Sequence, residues 1–437
     1  MTATGALWRN WGRSVAITPM RVERPADAAA VQRAVIAASS HGLTVKAVGA
    51  GHSFSPIALA PDVQLDLERL TGIVEVDREQ GRVRLRAGTR LHRLPHLLAP
   101  YGLALENLGD IDRQTLAGAT STGTHGTGGR FGGLATQIVA LTLVSGDGEL
   151  LTINETENAE LLPAARLGLG ALGVLVDITL QCVPAFVLHA LERPEPLEQV
   201  IDAYLQRSAT EDHFEFYWFP HTATALTKTN TRLPADAERH PLSAAGRWVD
   251  DELLANGVYR LVCAAGTAAG GVIPPFSRLA QRLTGNREFT DDSHRVFVSN
   301  RGVRFREMEY ALPRAAVPEA LRAVRALIDA RGWRISFPVE VRSAAADDNW
   351  MSTAYGRQTG YIAVHRYHRE DPTEYFAAVE SIMLEHDGRP HWGKMHSRSA
   401  AGLRSAYPRF DDFIAARDRL DPNRVFANPY LTTVLGA

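Results

Sequence analysis

The stretch from Leu105 to Gly133, LENLGDIDRQTLAGATSTGTHGTGGRFGG, constrains this chain more than any other. It is dense in glycine, serine and threonine, so its backbone offers many N–H and hydroxyl donors with little steric bulk. A long phosphate-bearing cofactor needs such a surface along its diphosphate. A flexible linker is the alternative, but strand patterns on both sides and the embedded His125, Arg130 and Phe131 argue against it.

A second glycine-rich turn lies earlier, in AVGAGHSFSPIAL, where His52 directly follows Gly49 and Gly51. Glycine permits unusual dihedral angles and lets backbone N–H groups approach an anion. The spacing is not G-x-G-x-x-G, and no G-x-x-x-x-G-K-[ST] occurs in the chain, which disfavours both common nucleotide-binding motifs. Taken alone, the turn is equally compatible with a solvent-exposed histidine.

The pattern of secondary structure changes near Ala185. Before it, a helix is predicted over Ala26–Gly42 among many short strands. Beyond it, longer helices such as Pro318–Gly332 and Tyr375–His386 alternate with strands, which predicts an antiparallel sheet with helices on one side. At 437 residues, 45% of them hydrophobic, the chain is too long for one core, and we expect an α+β fold. The expected domains are 1–185, 186–415 and a tail, 416–437, that returns to the first domain.

Charge and cysteine content exclude several classes of function. The 47 basic and 49 acidic residues give a formal net charge of −2, and no basic block favours nucleic acid or an anionic membrane. Two cysteines, Cys182 and Cys263, form neither a disulfide framework nor a zinc site, and both have the apolar neighbours typical of buried thiols. No apolar run reaches the ~18 residues of a membrane helix, so we expect a cytoplasmic protein without a transmembrane segment.

Three further segments place polar residues where a binding site or plain structure could use them. In FPVEVRS, Glu340 and Arg342 share one face of a strand, as a surface ion pair or as the polar floor of a pocket. In YIAVHRYH, His365 and His368 point to opposite faces, which argues against a metal pair, and no metal is expected. A lone His365 is more often structural. Lys394, in RPHWGKMHS, is equally compatible with a surface loop.

Together, GHSFS, LAGATSTGTHGTG, GALGV, EVR and HWGK resemble one family and occur in its order, from about residue 8 to FANPY near the C terminus. The chain is similar to the aldonolactone oxidoreductases, with the alditol oxidases as sister group, in the vanillyl-alcohol-oxidase (VAO)-type flavoprotein superfamily. The resemblance implies a two-part FAD-binding domain of the VAO/PCMH type and a substrate cap domain. It also implies FAD as the cofactor, bound covalently through a ring nitrogen of His52 to the flavin 8α-methyl group.

The resemblance implies roles for individual residues at matching positions. Glu340 would accept a hydrogen bond or the proton from the hydroxyl being oxidised, Arg342 would stabilise negative charge on the reduced flavin, and Lys394 would contact flavin and substrate. His365 matches an active-site histidine of the family. The FAD-binding residues implied besides His52 and Lys394 are Gly49, Ala50, Gly51, Ser53, Phe54, Gly109, Asp110, Gly118, Ser121, Thr122, Thr124, His125, Gly126, Gly173 and Ile178.

The activity that the resemblance implies is oxidation of L-gulono- or D-arabinono-1,4-lactone at C2, by hydride transfer to flavin N5, to an ascorbate-type product. The alternative is oxidation of a terminal CH–OH of a polyol such as xylitol or sorbitol, with hydrogen peroxide formed. Gly109, beside Asp110, occupies a position that controls oxygen access in the family and favours oxygen as acceptor; another acceptor and the oligomeric state stay open. A hydrolase lacks support because neither G-x-S-x-G nor H-E-x-x-H occurs, and a sugar-binding module would not need a cofactor cradle.

Overall fold

The computed structural model describes residues 3–243, 263–264, 266–267, 269–283, 285–299 and 302–437. Its N-terminal part consists of short strands, tight turns and a few helices. The strands are β1 (Ala3–Thr4), β2 (Trp8–Arg9), β3 (Ala16–Ile17), β4 (Arg21–Glu23), β5 (Val45–Val48), β6 (Val63–Asp66), β7 (Ile73–Asp77), β8 (Arg82–Arg86), β9 (Leu103–Ala104), β10 (Ile138–Val144), β11 (Leu150–Asn154), β12 (Val174–Gln181) and β13 (Val183–Pro184). The helices are Ala28–Ser40, Leu94–Leu98, Leu116–Ser121 and Leu162–Ala165.

Two main sheets form this N-terminal part. The first has the order β1-β4-β6-β5, and both β4 and β5 run parallel to β6. The second has the order β11-β10-β12-β8-β7 and is antiparallel throughout. Strands β2 and β3, and β9 and β13, form two small pairs. The sheets carry the glycine-rich segments in the loops between their strands.

The helix predicted over Ala26–Gly42 is present as Ala28–Ser40. The Asp27 side chain accepts a hydrogen bond from the N–H of Ala30, which caps the first turn. Gly42, with φ at 64°, then turns the chain toward β5 and the His52 turn. The residues that this helix buries against the sheets are Val31, Ala34, Val35 and Ala38.

A larger sheet follows in the second part of the chain. Its strands are β14 (Val187–Pro196), β15 (His213–Trp218), β16 (Thr224–Leu233), β17 (Arg287–Asp292), β18 (Phe305–Pro313), β19 (Val339–Ala344), β20 (Thr359–Tyr367) and β21 (Arg389–Pro390). Their order is β17-β14-β16-β15-β19-β20-β18-β21, and every neighbouring pair is antiparallel. The helices of this part are Leu197–Thr210, Ile273–Leu283, Ser293–Phe297, Val317–Arg331 and Thr373–Glu385.

Three of these helices cover one face of the large sheet. Residues of Leu197–Thr210, Val317–Arg331 and Thr373–Glu385 share one hydrophobic cluster with strand residues such as Phe216 and Val341. The prediction of an antiparallel sheet with helices on one side, and of an α+β fold, is therefore confirmed. The opposite face of the sheet carries polar residues and faces the glycine-rich loops.

The C-terminal helices return to the N-terminal core. Helices Ala400–Ala406, Phe410–Leu420 and Pro429–Leu435 contribute apolar residues to the same cluster as helix Ala28–Ser40. The ammonium group of the buried Lys46 donates hydrogen bonds to carbonyls on both sides of this contact, at 2.8 and 3.3 Å. The end of the chain therefore completes the core that its beginning starts.

Two expectations from composition can be compared with this structure. Cys182 and Cys263 are both buried thiols, as predicted. Within the described residues, no helix combines the length and the apolar character that crossing a membrane requires.

Candidate active site

The His52 turn begins where β5 ends and packs against the second glycine-rich stretch. A Cβ on Gly49 would lie 2.4 Å from Oγ1 of Thr115, so only glycine permits this approach. A Cβ on Gly118 would lie 2.9 Å from the same oxygen. Gly51 has a φ of 70°, in the left-handed region that favours glycine. The two glycine-rich segments of the sequence therefore meet at Thr115.

Consecutive backbone donors in this turn fit an anionic ligand. Within the described part of the chain, the N–H groups of residues 49–53 donate no hydrogen bond. Successive N–H groups in a glycine turn form a concave anion site, and the diphosphate of FAD would supply the acceptors that these donors lack. The residues present therefore fit this cofactor.

The rest of the second stretch forms the short helix Leu116–Ser121 and the loop after it. Thr115 caps the helix by accepting a hydrogen bond from the N–H of Gly118. The Thr122 hydroxyl donates to the carbonyl of Gly118 at 2.9 Å, and the Thr124 hydroxyl accepts from a glutamine side chain at 3.0 Å. These internal bonds hold the loop in one shape beside the His52 turn.

Residues 392–394, from the HWGK segment, close the other side of the turn. The N–H of Phe54 donates to the carbonyl of Gly393 at 2.6 Å. The hydroxyl of Ser55 donates to the carbonyl of Trp392 at 2.7 Å. Two motifs that lie far apart in the sequence are thus joined directly, and the lysine of HWGK lies beside the turn.

His52 itself is a neutral imidazole in a mostly buried position. Its ring stacks on Trp11, with 5.9 Å between the centroids and 24° between the planes. Burial, aided by Arg90, Lys394 and Arg113, lowers the pKa of His52 to about 4. A neutral imidazole keeps a lone pair on one ring nitrogen, as a nucleophile requires. Sequence reasoning missed Trp11, which no motif marks.

Arg342 is the centre of a buried cluster on β15 and β19. Its Nε lies 2.8 Å from Oε2 of Glu215 and 2.5 Å from Oε1 of Glu340. Its Nη2 donates to the hydroxyl of Tyr217 at 3.3 Å. Burial opposes its charge, but Glu215 and Glu340 raise the pKa of Arg342 well above its usual range. Arg342 is 8% exposed, so the predicted Glu340–Arg342 pair is formed in the interior, not on the surface.

Lys394 belongs to a second cluster, on β18 and β20. Its Nζ lies 2.5 Å from Oε2 of Glu307 and 5.3 Å from the centre of the Phe54 ring. The other oxygen of Glu307 lies 3.6 Å from Nε2 of His365, whose Nδ1 lies 2.9 Å from the carbonyl of Pro338. Burial alone would raise the pKa of Glu307, but Lys394 and His365 lower it to about 2.

His125 links the second glycine-rich loop to the eight-stranded sheet of β14–β21, called the cap sheet below. Its Nε2 lies 3.3 Å from Oε1 of Glu309, which is two residues beyond Glu307 on β18. Its ring stacks on Tyr361 of β20, with 3.7 Å between the centroids and 17° between the planes. The side chain of this predicted cofactor residue therefore packs against the sheet, while its backbone stays in the loop.

One group of possible metal ligands lies in the described residues, namely His125, Glu309 and His391, whose ligand atoms lie within 4.8 Å of one another. Both ring nitrogens of His391 are already engaged. Its Nε2 lies 3.0 Å from the carbonyl of Gly123, and its Nδ1 accepts from the N–H of Gly393 at 3.0 Å. A metal would have to break one of these bonds.

Of the predicted cofactor residues, Gly109 and Asp110 lie beside the second glycine-rich loop, whereas Gly173 and Ile178 lie apart from it. A Cβ on Gly109 would lie 3.1 Å from the carbonyl of His125, and Asp110 accepts a hydrogen bond from the hydroxyl of Ser299. Gly173 instead precedes β12, and Ile178 is fully buried in the N-terminal core. Their implied part in FAD binding stays a prediction.

Sequence reasoning missed the polar residues that complete both clusters. Glu307 and Glu309 alternate with apolar residues in β18, and Glu215 and Tyr217 do so in β15. Acids at every second position of an otherwise apolar strand are the signal that could have found them. Such a pattern predicts a buried polar face, which is expensive to desolvate unless it has a function or a partner.

Comparison with known proteins agrees with this architecture. A family model described as FAD binding domain matches residues 19–154, and one described as D-arabinono-1,4-lactone oxidase matches residues 178–434. The chain is thus an FAD-dependent oxidoreductase with a two-part FAD-binding domain and a cap. Because the second model covers more than half of its length, the chain belongs to the D-arabinono-1,4-lactone oxidase family.

Individual relatives cover almost the whole chain. It is 43% identical to L-gulono-1,4-lactone dehydrogenase from Mycobacterium tuberculosis, over 98% of this chain and 99% of that protein. L-gulonolactone oxidase from Bos taurus is 33% identical and alditol oxidase from Streptomyces sp. 32%, each over 98% of both chains. A solved structure of cholesterol oxidase from B. sterolicum aligns with 100% of this chain and 97% of its own chain. The TM-score is 0.84 and the sequence identity is 17%, which confirms the fold.

Proposed function

We propose that this enzyme oxidises a sugar 1,4-lactone, L-gulono- or D-arabinono-1,4-lactone, at C2 to an ascorbate-type product. The observation that carries this proposal is the buried polar face of the cap sheet, where Glu340 pairs with Arg342 and Lys394 pairs with Glu307 beside the His52 turn. A proton acceptor and two cations thus lie next to the cofactor cradle. The names of the lactone relatives support the substrate class.

The proposed roles follow from the contacts of each side chain. When bound, FAD supplies the acceptor for the hydride that leaves the substrate carbon. Glu340, held in place by Arg342, accepts the proton of the substrate hydroxyl. Arg342 supplies positive charge where negative charge builds up, and Lys394 donates hydrogen bonds to substrate oxygens. His365 supports Lys394 through the carboxylate that they share.

The cofactor cradle would consist of residues 49–54, 109–110 and 115–126, within a cofactor domain of 1–185 and opposite a substrate domain of 186–415. We propose that His52 bears the flavin covalently. A neutral ring nitrogen, a mostly buried position and the stacked Trp11 favour a fixed orientation and nucleophilic attack. A covalent bond would retain the cofactor permanently.

We propose oxygen as the electron acceptor, because Gly109 adds no side chain where its loop borders the cofactor cradle. Oxygen consumption, compared with reduction of a dye or of cytochrome c, tests this point. Turnover with the artificial acceptor alone contradicts it and places the enzyme with the dehydrogenases.

Oxidation of a polyol is the second candidate, and the alditol oxidase that covers 98% of this chain at 32% identity favours it. The same acceptor, cations and cofactor cradle would serve a terminal CH–OH group. Assays with xylitol and sorbitol, run beside both lactones, separate the two substrates by kcat/KM. Turnover of the polyols above that of the lactones overturns the first proposal.

The proposal is tested first on the purified protein. After acid precipitation and denaturing electrophoresis, flavin fluorescence should stay with the chain, and His52→Ala should release it. His41→Ala, an exposed histidine at the end of helix Ala28–Ser40, is the matched control and should retain flavin. Flavin released from the unaltered chain contradicts covalent attachment. If none of the lactones bleaches the bound flavin, the proposed activity is contradicted.

A further inference from the structure

We propose that Glu307 is a positioning residue that holds Lys394 as an ammonium ion in the active site. This rests on the proposed function only in so far as Lys394 is taken to meet the substrate. The pairing itself is independent of any substrate, because it is made between side chains of this chain.

Within the described part of the chain, each carboxylate oxygen of Glu307 lies near one side chain. Oε2 lies 2.5 Å from Nζ of Lys394, and Oε1 lies 3.6 Å from Nε2 of His365. Glu307 and His365 are directly opposite each other in the register of β18 and β20. The contact with His365 is longer than a hydrogen bond, and Nδ1 of His365 is directed at the carbonyl of Pro338, so Lys394 is the side chain that hydrogen-bonds to Glu307.

This carboxylate is fixed by its backbone and is deeply buried. Glu307 is 5% exposed, and it lies within β18, opposite His365 in the register with β20. Its carbonyl also accepts the N–H of Met395, next to Lys394, at 2.9 Å. The strand therefore binds the lysine segment twice, once through the backbone and once through the side chain. Such a doubly held ammonium has little freedom to leave its position.

Lys394 lies among more carboxylates than its own ion pair. Burial alone would lower its pKa, but Glu307 first, then Glu309 and Glu340, raise the pKa of Lys394 above its ordinary value. An ammonium ion is a donor only, so Lys394 can bind a substrate oxygen but cannot remove a proton. The charged and titratable groups that face it are Glu307 and Glu309 from β18, Glu340 from β19, His365 from β20, His391 from its own loop and His52 from the glycine turn.

The composition of the chain makes the protonation state of Lys394 measurable. Lys46, Lys228 and Lys394 are its only lysines, and all its other basic side chains apart from histidine are arginine. Lys46 is bound to two carbonyls and Lys228 lies 3.5 Å from Glu192, so neither touches Glu307. Labelling with [13Cε]lysine therefore gives three signals, and Lys394→Arg identifies the one of interest.

The test compares the titration of the Lys394 signal in the unaltered chain and in Glu307→Gln, without substrate. We expect its pKa to fall by at least about one pH unit, a tenfold change in proton affinity, while the Lys46 and Lys228 signals stay in place. Glu215→Gln is the matched control, because Glu215 is a buried carboxylate on the same sheet face that contacts Arg342 instead. An unchanged Lys394 titration in Glu307→Gln overturns the proposal, as does an equal shift in Glu215→Gln.

A second variant and a second measurement complete the test. Glu307→Asp keeps the charge but shortens its reach, so we expect a smaller fall in the Lys394 pKa, and a fall equal to or above that of the glutamine variant contradicts the pairing. If Glu307→Gln does not fold, Glu307→Asp against the unaltered chain decides, and an unchanged titration overturns the proposal. The alkaline limb of kcat/KM should move with the Lys394 signal. If no lactone is turned over while the signal shifts, the proposed function fails and the positioning role stands.

Discussion

On the cap sheet, Phe216 and Val341 pack under three helices, while their chain neighbours Tyr217 and Arg342 carry polar groups on the opposite face. The same strands form both faces, because successive side chains of a strand alternate. Burial of apolar area stabilises the first face by roughly 25 cal/mol per Å². The second face costs desolvation energy, which only complete pairing of its charges offsets.

The difference teaches where to look for function in such a sheet. The apolar face stabilises the cap sheet through burial under the three helices. The polar face is buried at a cost that stability alone does not explain, and it lies against the cofactor turn. Each prediction below changes one face and asks whether the other responds.

The largest effect is expected on activity, from Glu340→Gln. The amide keeps the shape of the side chain but cannot accept a proton, so kcat/KM for the preferred substrate should fall by about 10²–10⁴-fold. The free energy of unfolding should change by at most about 1 kcal/mol, because Arg342 keeps Glu215 as its partner. Steady-state kinetics and chemical denaturation measure the two quantities.

The control for that variant is Glu319→Gln, on the exposed side of helix Val317–Arg331. It removes an equal charge from the exposed side of the helix layer and should leave kcat/KM within about twofold, as surface substitutions usually do. Equal losses in both variants would show that net charge, and not the polar face, governs the rate.

The next effect is expected on stability, from Phe216→Ala. Phe216 is fully buried under the helices, and deleting its ring should cost about 3–5 kcal/mol of unfolding free energy. The kcat of the folded fraction should stay almost unchanged. Tyr217→Phe, one residue along, should lower kcat and leave the free energy of unfolding almost unchanged. It keeps the ring and loses the hydroxyl that contacts Glu215 and Arg342. The contrast between the two faces is contradicted if both variants change mainly kcat, or both change mainly the free energy of unfolding.

The smallest effect is expected from acid, through a histidine on the polar face of the cap sheet. Burial lowers the pKa of His213 to about 4, against an ordinary value of 6.5. Between these two values the unfolded chain binds a proton that the folded chain does not, so stability falls as the pH is lowered from 6.5 to 4. His213 should contribute about 1–3 kcal/mol of this loss.

Thermal unfolding at constant ionic strength between pH 7 and 4 measures this effect. His213→Asn retains a donor toward the carbonyl of Thr127 but does not titrate, so its melting temperature should depend less on pH. A slope identical to that of the unaltered chain would exclude His213 as the source.

Much of this arrangement could be predicted from local patterns. Helix Val317–Arg331 was predicted within one residue at either end, because its apolar spacing and Gly332 define it. The shared face of Glu340 and Arg342 followed from strand alternation, and in the structure Oε1 of Glu340 lies 2.5 Å from Nε of Arg342. Both features depend on residues that are close in sequence.

The partners across strands could not be predicted in this way. Glu307 meets His365 because β18 lies beside β20, and Glu215 meets Arg342 because β15 lies beside β19. That strand order is a property of the whole sheet, and no short pattern contains it. The family motifs indicated Lys394 but gave no reason to expect the carboxylate that binds it.

The hydrogen bonds from Phe54 and Ser55 to residues 392–393 have a consequence for the biogenesis of the enzyme. During synthesis the histidine turn leaves the ribosome long before the segment that completes it. We expect nascent chains that end before Trp392 to lack a finished cradle, however well their first sheets have formed. Loading of the cofactor would then be among the last events of maturation, and it would report that the entire polypeptide has been made and closed.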